Sequence, residues 1–121
     1  RMVTVQIFHG ASDANIAGFA AEMKSGWEGA CPGGVGTPLE EGATNGYPYV
    51  LWRFVCPLNP GTGKPELMWL KAVAGKDAAY VVQYAFRREM APEREQAALA
   101  YLARTSACDT RDPARACPPG M

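Results

Sequence analysis

A chain of 121 residues, 48% hydrophobic and 20% charged, has the size and composition of one globular domain. Twelve basic and twelve acidic side chains cancel, so no overall field draws it to nucleic acid or anionic lipid, and no basic run exceeds Arg87-Arg88. No stretch approaches the roughly 18 consecutive apolar residues that a membrane-spanning helix needs.

The chain begins at Arg1, directly in strand-like RMVTVQIF, and the expectation is an export signal removed ahead of it. β-Branched Val3, Val5 and Ile7 alternate with other residues, which predicts a strand over 3–8. HGASD interrupts it, and Ser12 or Asp13 is placed to cap the helix that follows. Ile16, Phe19, Ala20, Met23 and Trp27 recur on a 3.6-residue period, so this helix, ending near Gly29, lays one apolar stripe on a flat surface. CPGGVGTP is a stiff connection, and 36–43 is one more candidate strand.

Three strands are predicted at 49–56, 66–73 and 79–87, linked by PLNPGTGKP and AGKD, which are short enough for antiparallel hairpins. Pro92 opens a second helix, with Glu93 and Glu95 at its positive end and a narrow apolar face of Ala98, Leu99 and Leu102. The order β-α-β-β-β-α predicts a single α+β domain over 1–121. It would be an antiparallel four- to five-stranded sheet with two helices on one face.

Cys31, Cys56, Cys108 and Cys117 are too widely spaced for the paired ligands of a structural zinc site, and no C-x-x-C redox pair is present. Two disulfides are expected, and of three connectivities Cys31–Cys56 and Cys108–Cys117 are favoured. On a chain-entropy account these contribute about 3.5 and 2.7 kcal/mol. Such bonds persist in oxidising surroundings, so the expected location is periplasmic or secreted. The eight residues between Cys108 and Cys117 carry Asp109, Arg111, Asp112 and Arg115, expected as solvent charges on a pinned loop.

The segments ACPGG, CPLNPGTGKPE and GKDAAYVVQYAFRR resemble a group of small exported proteins of proteobacteria. The resemblance spans most of the chain and implies export but no activity. The topology also resembles, more distantly, small α+β domains of the Mog1/PsbP kind, which implies a fold and nothing further.

No catalytic constellation stands out. His9 lies near Ser12 and Asp13, but adjacent positions seldom give triad geometry, and no G-x-S-x-G elbow is present. NPGTGK lacks the first glycine and the final Ser or Thr of a phosphate loop, so it reads as a hairpin turn. Glu40-Glu41 reads as a solvated loop and Glu93/Glu95 as a helix first turn.

The sheet face away from the helices is the leading site. Tyr49, Arg53, Trp69, Lys71 and Gln83, with Gln6 beside them, would make it unusually aromatic and cationic for plain solvent. The expected function is therefore binding, by an accessory, inhibitor or immunity-like protein of the cell envelope. Its partner would be another envelope protein or a small ligand, with no cofactor or metal. The alternatives are a small envelope hydrolase using His9 with Asp13 or a loop carboxylate, and a structural envelope subunit.

Overall fold

The computed structural model describes residues 1–10, 16–115 and 117–119. Its elements are β1 (Met2–His9), α1 (Ile16–Ala30), β2 (Val35–Thr44), β3 (Tyr47–Asn59), β4 (Lys64–Ala74), β5 (Ala78–Phe86) and α2 (Pro92–Ala103). The candidate strand at 36–43 is β2. Five strands form one antiparallel sheet in the order β1-β5-β4-β3-β2, so β1 and β2 are its edges. Neither the expected cap at Ser12 nor that at Asp13 falls within the described residues.

Turn chemistry sets the registers. Thr44 pairs with Tyr47, leaving Asn45 and Gly46 as a two-residue loop with φ of 53° and 80°. Both angles are those of a primed hairpin turn, which Asn-Gly adopts more readily than almost any other pair. The Asn59 carbonyl accepts from the amides of Thr62 at 3.2 Å and Gly63 at 2.8 Å, closing the β3–β4 hairpin. Gly75 donates to the Ala78 carbonyl at 2.7 Å and closes β4–β5.

The two helices lie on opposite faces of the sheet, not on one. Ile16, Phe19, Ala20, Met23 and Trp27 of α1 pack with Val50, Phe54, Leu70, Ala72 and Val81. Ala98, Leu99 and Leu102 of α2 pack with Leu51, Leu67, Trp69 and Tyr84. Strand neighbours such as Val50 and Leu51, or Trp69 and Leu70, therefore enter different cores, because successive strand side chains point to opposite faces. The physical reason lies in the strands themselves. β3, β4 and β5 are apolar on both faces, and such a sheet is stable only when both are covered.

Cys31 is bonded to Cys56 and Cys108 to Cys117, with Cα separations of 6.0 and 5.5 Å. The first bond ties the end of α1 to β3, and both of its cysteines are buried.

The second closes a loop that is anchored, not solvated. Asp109 is 2% exposed and Asp112 8%, which corrects the expectation of solvent charges. Asp109 accepts from the Lys76 amide at 3.2 Å, the Arg111 amide at 2.9 Å and Arg111 Nε at 3.2 Å. Arg111 also pairs with Asp77. Asp112 accepts from Arg115 Nε at 2.8 Å, and the Arg115 guanidinium sits 4.1 Å above the ring of buried Tyr47. The Tyr47 hydroxyl accepts from the Asp109 amide at 3.2 Å and lies 3.1 Å from the Arg115 carbonyl. The loop thus locks the β2–β3 and β4–β5 turns together. Buried carboxylates with several donors are stable only because those donors replace water.

This anchoring gives a pH dependence. The Arg111 guanidinium and amide hold the Asp109 carboxyl well down, from an ordinary 3.8 to about 2. Because the folded pKa lies below the unfolded one, its contribution is complete above about pH 4 and is lost as pH falls through about 2. Asp109→Asn is expected to melt lower than the parent at neutral pH, with the gap closing towards pH 2. A gap that stays constant in melts over this range would contradict the assignment.

Candidate functional site

Period-two alternation brings Tyr49, Arg53, Trp69 and Lys71 onto one face, as expected. In the register Leu51 faces Lys71 and Arg53 faces Trp69. That face, however, is the one α2 covers. Trp69 is 0% exposed, and its indole N–H donates to Glu95 at 3.2 Å. Arg53 Nη1 pairs with the same carboxylate at 2.7 Å, while Arg53 Nε is buried without a hydrogen-bond partner among the described residues.

Lys71, 6% exposed, donates to the carbonyls of Leu102 at 3.0 Å and Thr105 at 2.7 Å. The Leu102 carbonyl also accepts from the Thr105 amide at 3.1 Å and the Thr105 hydroxyl at 2.7 Å, so the ammonium joins the cap of α2, where a cation also meets the negative end of the helix dipole. Its ammonium lies 4.7 Å over the Tyr49 ring, and burial lowers its pKa. The Tyr49 hydroxyl donates to Glu40 at 2.8 Å, which raises the tyrosine's pKa. Between β2, β3 and α2 a cavity of about 410 Å³ remains, lined by Leu39, Glu40, Tyr49, Lys71, Glu95 and Leu99 among others. Its polar lining is already committed: Glu40 to Tyr49, Glu95 to Arg53 and Trp69, Lys71 to the helix end.

Gln83 is not part of this group. It pairs with Leu70 and with Thr4, which places it on the α1 face, and Gln6, opposite Val81, is on that face too. The expected helix-free face of Tyr49, Arg53, Trp69, Lys71 and Gln83 is therefore split in two by the sheet, and its aromatic half is core.

An open surface does exist on the α1 side. α1 crosses the sheet obliquely, from Phe19 on Phe8 at 5.0 Å to Trp27 on Phe54 at 5.1 Å. It packs on β3, β2 and β4, which leaves uncovered the corner where β1, β5 and the start of β4 meet. Met2 faces Ala85 and Ala85 faces Met68, while Thr4 faces Gln83; these five form the corner's floor. With Trp27, Arg87, Arg1 and Glu66 among others they line a cavity of about 440 Å³, and the Glu66 carboxylate accepts from Asn59 Nδ2 at 2.9 Å. Among the described residues, no hydrogen-bond or ion-pair partner engages the side chains of Thr4, Gln83 or Arg87. Of this set only Gln83 was singled out in the sequence. The remaining signal was the polar pair Thr4 and Gln6 on one face of an otherwise apolar strand.

The other motifs resolve simply. His9 is exposed at the end of β1, opposite Ala78, and its expected partners Ser12 and Asp13 lie outside the described residues. In the NPGTGK loop the Gly61 amide is turned onto Asn59 Oδ1 at 2.8 Å, and the Thr62 and Gly63 amides onto its carbonyl, so they face inward. Glu40 and Glu41 belong to β2. Among the described residues no three His, Cys, Asp or Glu side chains gather closely enough to hold a metal ion. No described helix is long and apolar enough to cross a membrane.

Set against known protein families, curated proteins and solved structures, the chain matches none. The class is therefore defined by its own geometry: a small α+β domain with two disulfides, a helix on each face of the sheet, and an open corner on the α1 side.

Proposed function

We infer that this is a binding protein of the periplasm or the extracellular space, an accessory or inhibitor-like domain that grips a partner in the corner beside Trp27. The observation that carries this reading is the contrast between the two cavities. Polar groups in the α2-side cavity are spent on the fold, whereas Thr4, Gln83 and Arg87 are free to engage a ligand. The volume of about 440 Å³ suits a small molecule or two to three side chains of a peptide.

Trp27, Met2 and Met68 provide an apolar, adaptable floor and wall, as promiscuous peptide-binding surfaces often do. Arg87 provides an unengaged guanidinium at the cavity, and guanidinium pairs well with carboxylate, whereas the Arg1 guanidinium lies 5.7 Å over the Tyr84 ring. An extended segment of a partner protein, with an apolar side chain beside a carboxylate, fits this chemistry. Two disulfides favour an oxidising compartment, and the resemblance to exported proteobacterial proteins supports the same location.

The test is titration with short peptides that alternate Leu and Asp, read by the Trp27 indole N–H signal. Binding should weaken roughly tenfold or more in Arg87→Glu, the loss expected for one charge-assisted contact. Peptides alternating Leu and Lys should not bind. Equal response to both peptides, or an Arg87→Glu variant that binds the Leu-Asp peptide as tightly as the parent, would overturn the reading.

A further inference from the structure

The two edges of the sheet are finished differently. On β2 the chain places Pro38, a register shift between Pro38 and Glu40, and the charges Glu40 and Glu41. Proline, bulges and charges are the standard devices that stop an edge strand from recruiting another strand. β1 has none of them. It runs eight residues in unbroken register with β5, and from Met2 to Phe8 it carries no charge and no proline. Val5 is 69% and Ile7 54% exposed on the α2 side, because α2 packs chiefly on β4 and β5, and of the β1 residues on that face Val3 packs against its cluster.

We propose that β1 is the interface of a two-fold dimer, in which β1 of one protomer pairs antiparallel with β1 of a second copy. The occupant is specified by the sequence of the strand, which is complementary to itself about Val5. Centring the axis there sets Val5 against Val5, Val3 against Ile7, Thr4 against Gln6 and Met2 against Phe8. In an antiparallel pair, directly opposed residues share a face. The exposed Val and Ile side chains then form one apolar stripe on the α2 side, beside Tyr80 and Val82. Thr4 and Gln6 stand opposite each other on the α1 side, polar against polar, with the Thr4 side chain still facing the open corner. No charge is buried, and Arg1 and His9 fall at the two ends of the pairing. The sheets join into one of ten strands, and the unpaired edge amides and carbonyls of β1 are satisfied.

Sedimentation equilibrium on the full chain tests this at about 10–200 μM, a range that brackets weak association. The expected mass is twice the 13.0 kDa of the chain. Val5→Lys puts two like charges opposite each other at the axis and should raise the dissociation constant at least about tenfold. Because Val5 is exposed, an unchanged melting curve will show that the fold is intact. Val5→Cys should form an interchain disulfide on mild oxidation, since opposed Cα atoms in such a pair are roughly 4.5–5.5 Å apart. Leu58→Cys, at a position 55% exposed on β3, should not. A monomer across the whole range overturns the proposal. So does a dimer indifferent to Val5→Lys, which would use another surface, or a mass growing beyond two chains.

Discussion

Replacing Trp69 with alanine is expected to lower the melting temperature by roughly 10–20 °C, the consequence of losing about 3–5 kcal/mol from a core site. Trp69 is wholly buried among Leu51, Leu67, Tyr84, Ala98 and Leu102, with Phe86 edge-on at 6.2 Å. Truncation leaves a cavity the size of an indole and removes the N–H donor from Glu95. That carboxylate and Arg53 would then stay half-buried with one partner fewer, and unmade polar contacts add to the cost. A domain of this size has about 5–15 kcal/mol in total, so the variant stands near the limit of folding. The sequence alone places Trp69 and Arg53 among the contact residues of a helix-free face, where substitution would leave the fold intact. The geometry reverses that order. A melt within about 2 °C of the parent would mean that α2 does not seal this face.

The second large effect concerns Cys31–Cys56. Replacing both cysteines with alanine is expected to cost about 3.5 kcal/mol on the chain-entropy account, and roughly 10–15 °C in melting temperature. The bond closes a loop that contains the whole connection from α1 into β2 and most of β3. It also holds the end of α1, where Trp27 rests on Phe54, so its loss loosens the wall of the open corner before the sheet itself. Hydrogen exchange should therefore accelerate first across the last turns of α1, while β4 and β5 remain protected. Uniform acceleration over the chain would contradict a local role. The Cys108–Cys117 pair closes a shorter loop and should cost less, about 2.7 kcal/mol.

Strand positions were legible in the sequence because Val3, Val5 and Ile7, or Tyr80, Val82 and Tyr84, keep a period of two over enough residues to be unambiguous. The helix stripe of Ile16, Phe19, Ala20, Met23 and Trp27 was legible for the same reason at a period near 3.6, and all five residues pack as expected. Which faces the helices cover was not legible from α2. Its apolar face is only Ala98, Leu99 and Leu102, too narrow to announce that it seals half a sheet. The better signal lay in β3, where Val50, Leu51, Trp52, Phe54 and Val55 leave no solvated side. Asn45-Gly46 carries a like signal for the β2–β3 hairpin, a pairing that the expected strands at 36–43 and 49–56 left unassigned.

The candidate site was only half legible. Shared strand parity grouped Tyr49, Arg53, Trp69 and Lys71 correctly, but parity is relative within each strand, and only the pairing register places Gln83 on the other side. The corner itself depends on the oblique path of α1, which no local pattern encodes. The buried aspartates of the tail were illegible for a similar reason. Arg111 and Arg115 are local donors, but burial of the aspartates depends on the distant Lys76 amide and on Tyr47, which meet the loop only once it docks on the turns.

Amide and indole shift mapping with the acidic, apolar peptide tests most directly whether recognition takes place in the open corner beside Trp27 or in the α2-side cavity. For the corner, perturbed signals should cluster at Thr4, Trp27, Met68, Gln83, Ala85 and Arg87. Perturbation centred instead on Leu39, Tyr49, Lys71 and Leu99 would place recognition in the α2-side cavity and contradict the proposed function.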